Sequence, residues 1–156
     1  MTGIGKDRLH LAWVSSAEAQ RFAQIATEVS TTIKDQGTFD ARAFELELEA
    51  ALMTVGAENL RWLVSKELKI ATKGDVYGRK WDTDSYETIM DSVLEREYHK
   101  NLIYLAIQRG SQSVRQISER TGLLLQQVSY LLADLEKTNR VVFKGMEDSK
   151  PVFSVL

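Results

Sequence analysis

A chain of 156 residues has room for one substantial core or two small ones, and its lack of cysteine excludes disulfides, thiolate metal or cluster sites and thiol catalysis. With 44% apolar and 27% charged residues the composition is ordinary for a globular protein. No apolar run approaches the ~18 residues that cross a bilayer, and Met1 to Asp7 lack the features of a secretory signal, so a cytoplasmic location without a membrane partner is expected. The net charge of −2 is unevenly spread: residues 1–96 hold 12 Lys/Arg against 16 Asp/Glu, and residues 97–156 hold 8 against 6, too slight a basic excess to imply nucleic acid.

Leu9, Leu11 and Trp13 alternate with His10, Ala12 and Val14, the period-2 pattern of a half-buried strand. Ser15 and Glu18 stand at capping-box spacing before a helix running to about Asp35, with Phe22, Ile25, Ala26, Val29 and Ile33 on one face and Gly37 as its stop. A lone strand leaves its backbone groups unpaired, and the next good strand candidates lie more than 120 residues away. The opening therefore reads as a βα remnant, the last such unit of an α/β domain whose earlier strands lie outside this chain. Pairing with the distant hairpin, or with a second copy as a homodimer, is the alternative.

The middle region reads as helical. Asp40 is an N-cap, with Phe39 and Phe44 spaced as a hydrophobic staple, and Phe44, Leu48, Ala51, Leu52 and Val55 follow at helical spacing. Gly56 breaks or weakens this helix before a second face of Leu60, Leu63, Val64 and Leu68. Thr72 to Thr83 reads as a loop. A third long helix starts at an Asp84 cap, carries Tyr86, Ile89, Met90, Val93, Leu94, Leu102, Leu105 and Ala106, and stops at Gly110.

From there the pattern is specific. Ser113 and Gln116 cap a short helix that turns at Thr121-Gly122 into a helix burying Leu124, Val128, Leu131, Leu132 and Leu135. Val141-Val142-Phe143 and Val152-Phe153-Ser154-Val155 then form a hairpin through a turn from Gly145 to Lys150. This is the winged helix-turn-helix order, and the string Ser113 to Gly122 resembles that superfamily. A helix that reads DNA usually presents cations or amides near its start. Here Gln126, Gln127 and Tyr130 suit base or partner contacts, but no cation precedes Lys137 on that helix. Arg115, Arg140, Lys144 and Lys150 are candidates for phosphate or partner contacts from the surrounding elements.

Other chemistry is thin. His10 and His99 lack a second ligand at metal spacing, and Glu45, Glu47 and Glu49 spread around a helix. Gly74 to Gly78 lacks the spacing of a phosphate loop, while Tyr77, Arg79, Lys80 and Trp81 make a candidate partner loop. No catalytic, metal or cofactor site is expected, and the chain is not read as an enzyme.

The opening Gly5-Lys6-Asp7-Arg8-Leu9-His10-Leu11-Ala12-Trp13-Val14-Ser15-Ser16-Ala17-Glu18, continuing through Arg21-Phe22-Ala23, resembles the C-terminal end of the delta, or iron–sulfur, subunit of methyl-viologen-reducing hydrogenase. Leu60 to Glu67 and Gly74 to Gly78 are similar to stretches of longer members, which end in a winged-helix segment. The resemblance implies electron transfer between a donor such as hydrogenase and heterodisulfide reductase. The family's [2Fe–2S] cluster is held by cysteines in a preceding domain, and this chain has none of them. The expected organisation is mainly α: residues 1–37 a βα remnant, 38–97 a helical middle region, and 98–156 a C-terminal winged helix-turn-helix. The function expected is non-catalytic docking to protein partners in a redox complex, with a DNA-binding transcription regulator as the alternative.

Overall fold

In the computed structural model, which describes residues 3–74 and 76–156 and only the backbone of Lys6 and Ala71, the chain is mainly helical with one small antiparallel sheet. The helices are α1 (Ala19–Asp35), α2 (Glu45–Val55), α3 (Glu58–Leu68), α4 (Thr83–Gln108), α5 (Val114–Thr121) and α6 (Leu125–Lys137). The strands are β1 (Val141–Glu147) and β2 (Lys150–Val155). The chain divides into two compact units, Met1–Glu45 and Leu46–Leu156.

In the first unit the expected strand over residues 9–14 does not form. A strand exists only as a partner in a ladder, and the described residues supply no partner, so these residues belong to no regular element. Leu9, Leu11 and Trp13 stand more than four-fifths exposed. The helix after them begins three residues later than the Ser15 cap implied. Glu18 reaches back to the Ser15 amide at 2.8 Å, but the Ser15 hydroxyl accepts from Ala17 and the helix opens only at Ala19. Phe39 and Phe44 do stack, with ring centroids 5.4 Å apart. Asp40 accepts from the Arg42 amide at 3.0 Å and caps a 3-10 turn (Ala41–Phe44) leading into α2.

In the second unit α4 is the central element, and two faces of its C-terminal half meet different neighbours. Tyr98, Leu102 and Leu105 pack with Leu46 and Ala50 of α2. Ile103, Ala106 and Ile107 join Ile117 of α5, Leu123, Val128, Leu131, Leu132 and Leu135 at and along α6, and Val141 and Phe153 of the hairpin. Truncating a fully buried member such as Leu135 to alanine would cost ~2–5 kcal/mol. Gly56 does break the helical run, α2 ending at Val55 and α3 starting at Glu58. The cap of α4 is Asp82 rather than Asp84: its carboxylate accepts from the amide and hydroxyl of Ser85 at 2.8 and 2.7 Å, two residues earlier than the sequence suggested.

The segment between α3 and α4 opens with a π-helical turn (Lys69–Lys73), so part of the expected loop is helical. Gly74 follows at φ +83°, where a Cβ would meet the Arg79 carbonyl oxygen at 3.0 Å. The chain closes on itself there, and both the dihedral and the space exclude a side chain. Asp75 lies outside the described residues.

Ser113 and Gln116 cap α5 reciprocally, each amide bonded to the other's side chain, and Gly122 ends it at φ +72°. The hairpin is longer than the sequence implied. β1 runs through Gly145, where a bulge shifts the register, to a two-residue turn at Asp148 and Ser149. Both turn residues have positive φ, 47° and 60°, the sign pattern of a type I′ turn that suits the twist of paired strands. The outer edge of β2 is met by an isolated bridge between Val152 and Ser113, and the Phe153 amide donates to the Gln112 carbonyl at 2.9 Å.

Candidate nucleic-acid or partner interface

The packing of α6 decides what it shows to solvent. Val128, Leu131, Leu132 and Leu135 are turned into the core, which leaves Leu124, Leu125, Gln126, Ser129, Tyr130 and Ala133 outward. Leu124, Leu125 and Tyr130 are 69%, 54% and 62% exposed. Two of the expected contact residues are already engaged. The Gln127 side-chain oxygen accepts from the Leu124 amide at 3.2 Å, closing the first turn of the helix. Tyr130 lies beneath the Arg96 guanidinium, 5.5 Å from its ring centroid, and Arg96 also donates through Nε to Asp134 at 3.1 Å. Gln126 remains exposed.

Arg96 escaped the sequence reading. It brings to the α6 surface a cation where α6 itself has none before Lys137, but Asp134 pairs with it. The hydrogen bond from Arg96 holds the Asp134 carboxyl below its usual range. Arg96, Tyr130 and Gln127 line a small cleft between α4 and α6, together with Ser92, Glu95, His99 and Leu131. Burial pushes the His99 imidazole pKa down, opposed in part by Glu95.

The expected phosphate contacts divide. Arg140 is a correction: its guanidinium is turned inward, donating to Asn101 at 3.0 Å, lying 3.8 Å from Glu97 and 4.6 Å from the Tyr104 ring centroid. It is spent on joining β1 to α4. Arg115 is exposed and bonds Glu119 one turn along α5 at 3.0 Å. Lys144 sits exposed at the bulge, and Lys150 starts β2 opposite Glu147. Glu147 and Asp148 put two carboxylates at the hairpin tip, so the hairpin does not present a purely cationic edge. Phe143 and Met146 of β1 add apolar surface, 45% and 61% exposed.

The second candidate cluster lies apart from α6 in the sequence. Tyr77 is 79% exposed with Arg79 stacked 5.1 Å above its ring, Lys80 is exposed, and Trp81 is 38% exposed. Near α3, Val55, Leu60, Val64, Met90 and Leu94 line an apolar groove of 560 Å³.

Among the described residues no three His, Cys, Asp or Glu side chains gather as a metal site, and the cysteine-free chain offers no thiolate for an iron–sulfur cluster. Among the described residues no helix is long and apolar enough to cross a membrane. Comparison with protein-family models, curated proteins and solved structures finds no match.

Proposed function

We propose that residues 98–156 act as a winged-helix module that docks protein rather than reading DNA, within a non-catalytic accessory segment of an electron-transfer subunit. The observation that carries the docking half is the outward face of α6. The helix that enters the major groove in DNA-binding relatives of this architecture needs donors and cations near its start. Here that end carries the exposed Leu124 and Leu125 beside the exposed amide of Gln126, and the Arg96 that lies over Tyr130 is already paired with Asp134. Apolar and aromatic side chains with few charges are the composition of an interface core. The hairpin works in the same direction, since Glu147 and Asp148 offset the charge of Lys144 and Lys150 and leave little net attraction for phosphate.

The electron-transfer half rests on the likeness of residues 5–23 to the delta subunit of methyl-viologen-reducing hydrogenase. With no thiolates of its own, the chain would position a redox partner of the heterodisulfide-reductase type without carrying electrons.

Fluorescence anisotropy with a random duplex and with upstream operator fragments, at 50 and 150 mM salt, tests the choice. Docking predicts only weak binding to either, falling steeply with salt. A sequence-selective complex tighter than about 10⁻⁸ M that Gln126→Ala weakens would instead establish a transcription regulator.

A further inference from the structure

Among the described residues, residues 9–14 find no backbone partner. The Arg8 side chain donates to the carbonyls of Gln36 and Gly37 at 3.0 and 3.2 Å, which fixes the chain beside the C-terminal end of α1. Seven residues on, the Ser15 amide bonds Glu18, just ahead of the N-terminal end of the same helix. A helix of 17 residues is about 25 Å long, and seven steps of chain, at most about 24 Å, bridge its two ends together with the reach of the Arg8 side chain. The segment is therefore drawn out alongside α1 and runs opposite to it, and Leu9 has the extended dihedrals φ −123°, ψ 118°. Leu9, Leu11 and Trp13 are 88%, 84% and 82% exposed, whereas Val14 is half-buried. Among the described residues, no backbone N–H or C=O of this segment has a hydrogen-bond partner.

The two deficits together specify the partner. Apolar side chains alone would be satisfied by a helix, a pocket or a lipid surface. Six consecutive unpaired peptide groups in an apolar contact are satisfied by a second extended backbone, which repeats donors and acceptors at the same spacing. We propose that residues 9–14 dock by strand addition to the open sheet edge of a partner protein, with Leu9, Leu11 and Trp13 covered by the layer beneath that sheet. A second copy of this chain fits less well. Antiparallel self-pairing about Leu11 sets Leu9 opposite Trp13, but leaves all six apolar side chains on one uncovered face of a two-stranded ribbon. The inference does not depend on the α6 surface.

The experiment places a photoreactive benzophenone side chain at position 11 of the full chain in its native cells, and separately at position 125 on α6. Crosslinks from position 11 are expected on an edge strand of one partner. Reconstitution with that purified partner should slow amide exchange in residues 9–14 by about 100-fold or more. Successive amides of a strand point to opposite edges, so one of Leu11→Pro and Ala12→Pro should abolish this protection and the other should retain it. The proposal is overturned if position 11 gives no crosslink above background, crosslinks to helices or to a second copy, or if the amides stay fast in the complex. Crosslinks from position 125 alone would sink strand addition and leave the docking role of α6 standing. Crosslinks from position 11 alone would do the reverse.

Discussion

Arg140 donates to the side-chain oxygen of Asn101 at 3.0 Å, and the nitrogen of the same amide donates to the Thr54 hydroxyl at 3.0 Å. Asn101 therefore joins α2, α4 and the start of β1 through one buried group. Beside it the buried Glu97 carboxylate accepts from Asn59 and Lys100, both at 3.1 Å. Buried polar groups stabilise only when fully paired, and removing one strands the others. Asn101→Ala should cost about 2–3 kcal/mol, measured as a shift of the urea midpoint. Asn101→Ala and Arg140→Ala together should cost less than the sum of the two single changes. Additive losses would show that the two side chains do not cooperate.

The same contacts govern which fragment folds. Residues 98–156 contain the hairpin and α6, but α4 would be cut near its middle and lose Leu46 and Ala50 from its buried face. A fragment spanning 46–156 keeps both hydrophobic clusters and the Asn101 network. It should unfold cooperatively, with a midpoint close to that of the full chain, while 98–156 alone should lose most of its helical circular dichroism or melt far lower. Equal stability of the two fragments would refute a structural role for α2.

This dependence also marks the limit of what the sequence discloses. Most inward residues of α5 and α6 were legible because Ile117, Val128, Leu131, Leu132 and Leu135 repeat at the helical period, and Ser113 with Gln116 announces a helix start; Leu124 was read inward, but it caps α6 and is exposed, and Leu123 takes the buried place. Glu97 and Asn101 occupy the same inward rhythm of α4, yet a search for apolar periodicity reads them as a solvated interruption. Polar residues on an apolar rhythm were the available signal, and their partners Thr54 and Arg140 lie too far along the chain for spacing to reveal. Alternation identified residues 9–14 as fit for a strand, but pairing is a property of two segments, and one segment cannot disclose it. Arg96 was missed for a related reason: its place over Tyr130 depends on how α4 crosses α6.

Tyr98 supplies a test with the opposite sign. Its side chain is 2% exposed, and its hydroxyl is a buried polar atom with no hydrogen-bond partner among the described residues. Burial, with a smaller contribution from Glu47, pushes its pKa up to about 12, so it is neutral throughout the useful range. Removing an unsatisfied buried hydroxyl while keeping the ring should be neutral or should stabilise by up to about 1 kcal/mol. Thermal denaturation of Tyr98→Phe at neutral pH is the measurement. A loss greater than about 1 kcal/mol would mean that the hydroxyl has a partner.

Acid should destabilise the protein in two stages. Burial depresses the His99 pKa below its ordinary 6.5, so the folded state favours the neutral ring. That contribution is complete above the unfolded value and is lost as pH falls below about 6.5 toward the lower folded pKa. The Arg96 hydrogen bond depresses the Asp134 carboxyl, and the Ser85 amide followed by its hydroxyl depresses that of Asp82, both from an ordinary 3.8. A carboxylate of this kind stabilises above its unfolded pKa, and the contribution disappears as pH falls through the folded one. Urea midpoints at pH 7.5, 5.5 and 3.5 should therefore decline in both intervals. His99→Gln should flatten the first decline, because its side chain carries no titrating proton. Asp134→Asn should flatten part of the second and lower stability at pH 7.5, since Arg96 would lose its charged partner. A His99→Gln protein that keeps the full decline between pH 7.5 and 5.5 would remove the imidazole from the account. The acid response would then have to come from groups elsewhere in the chain.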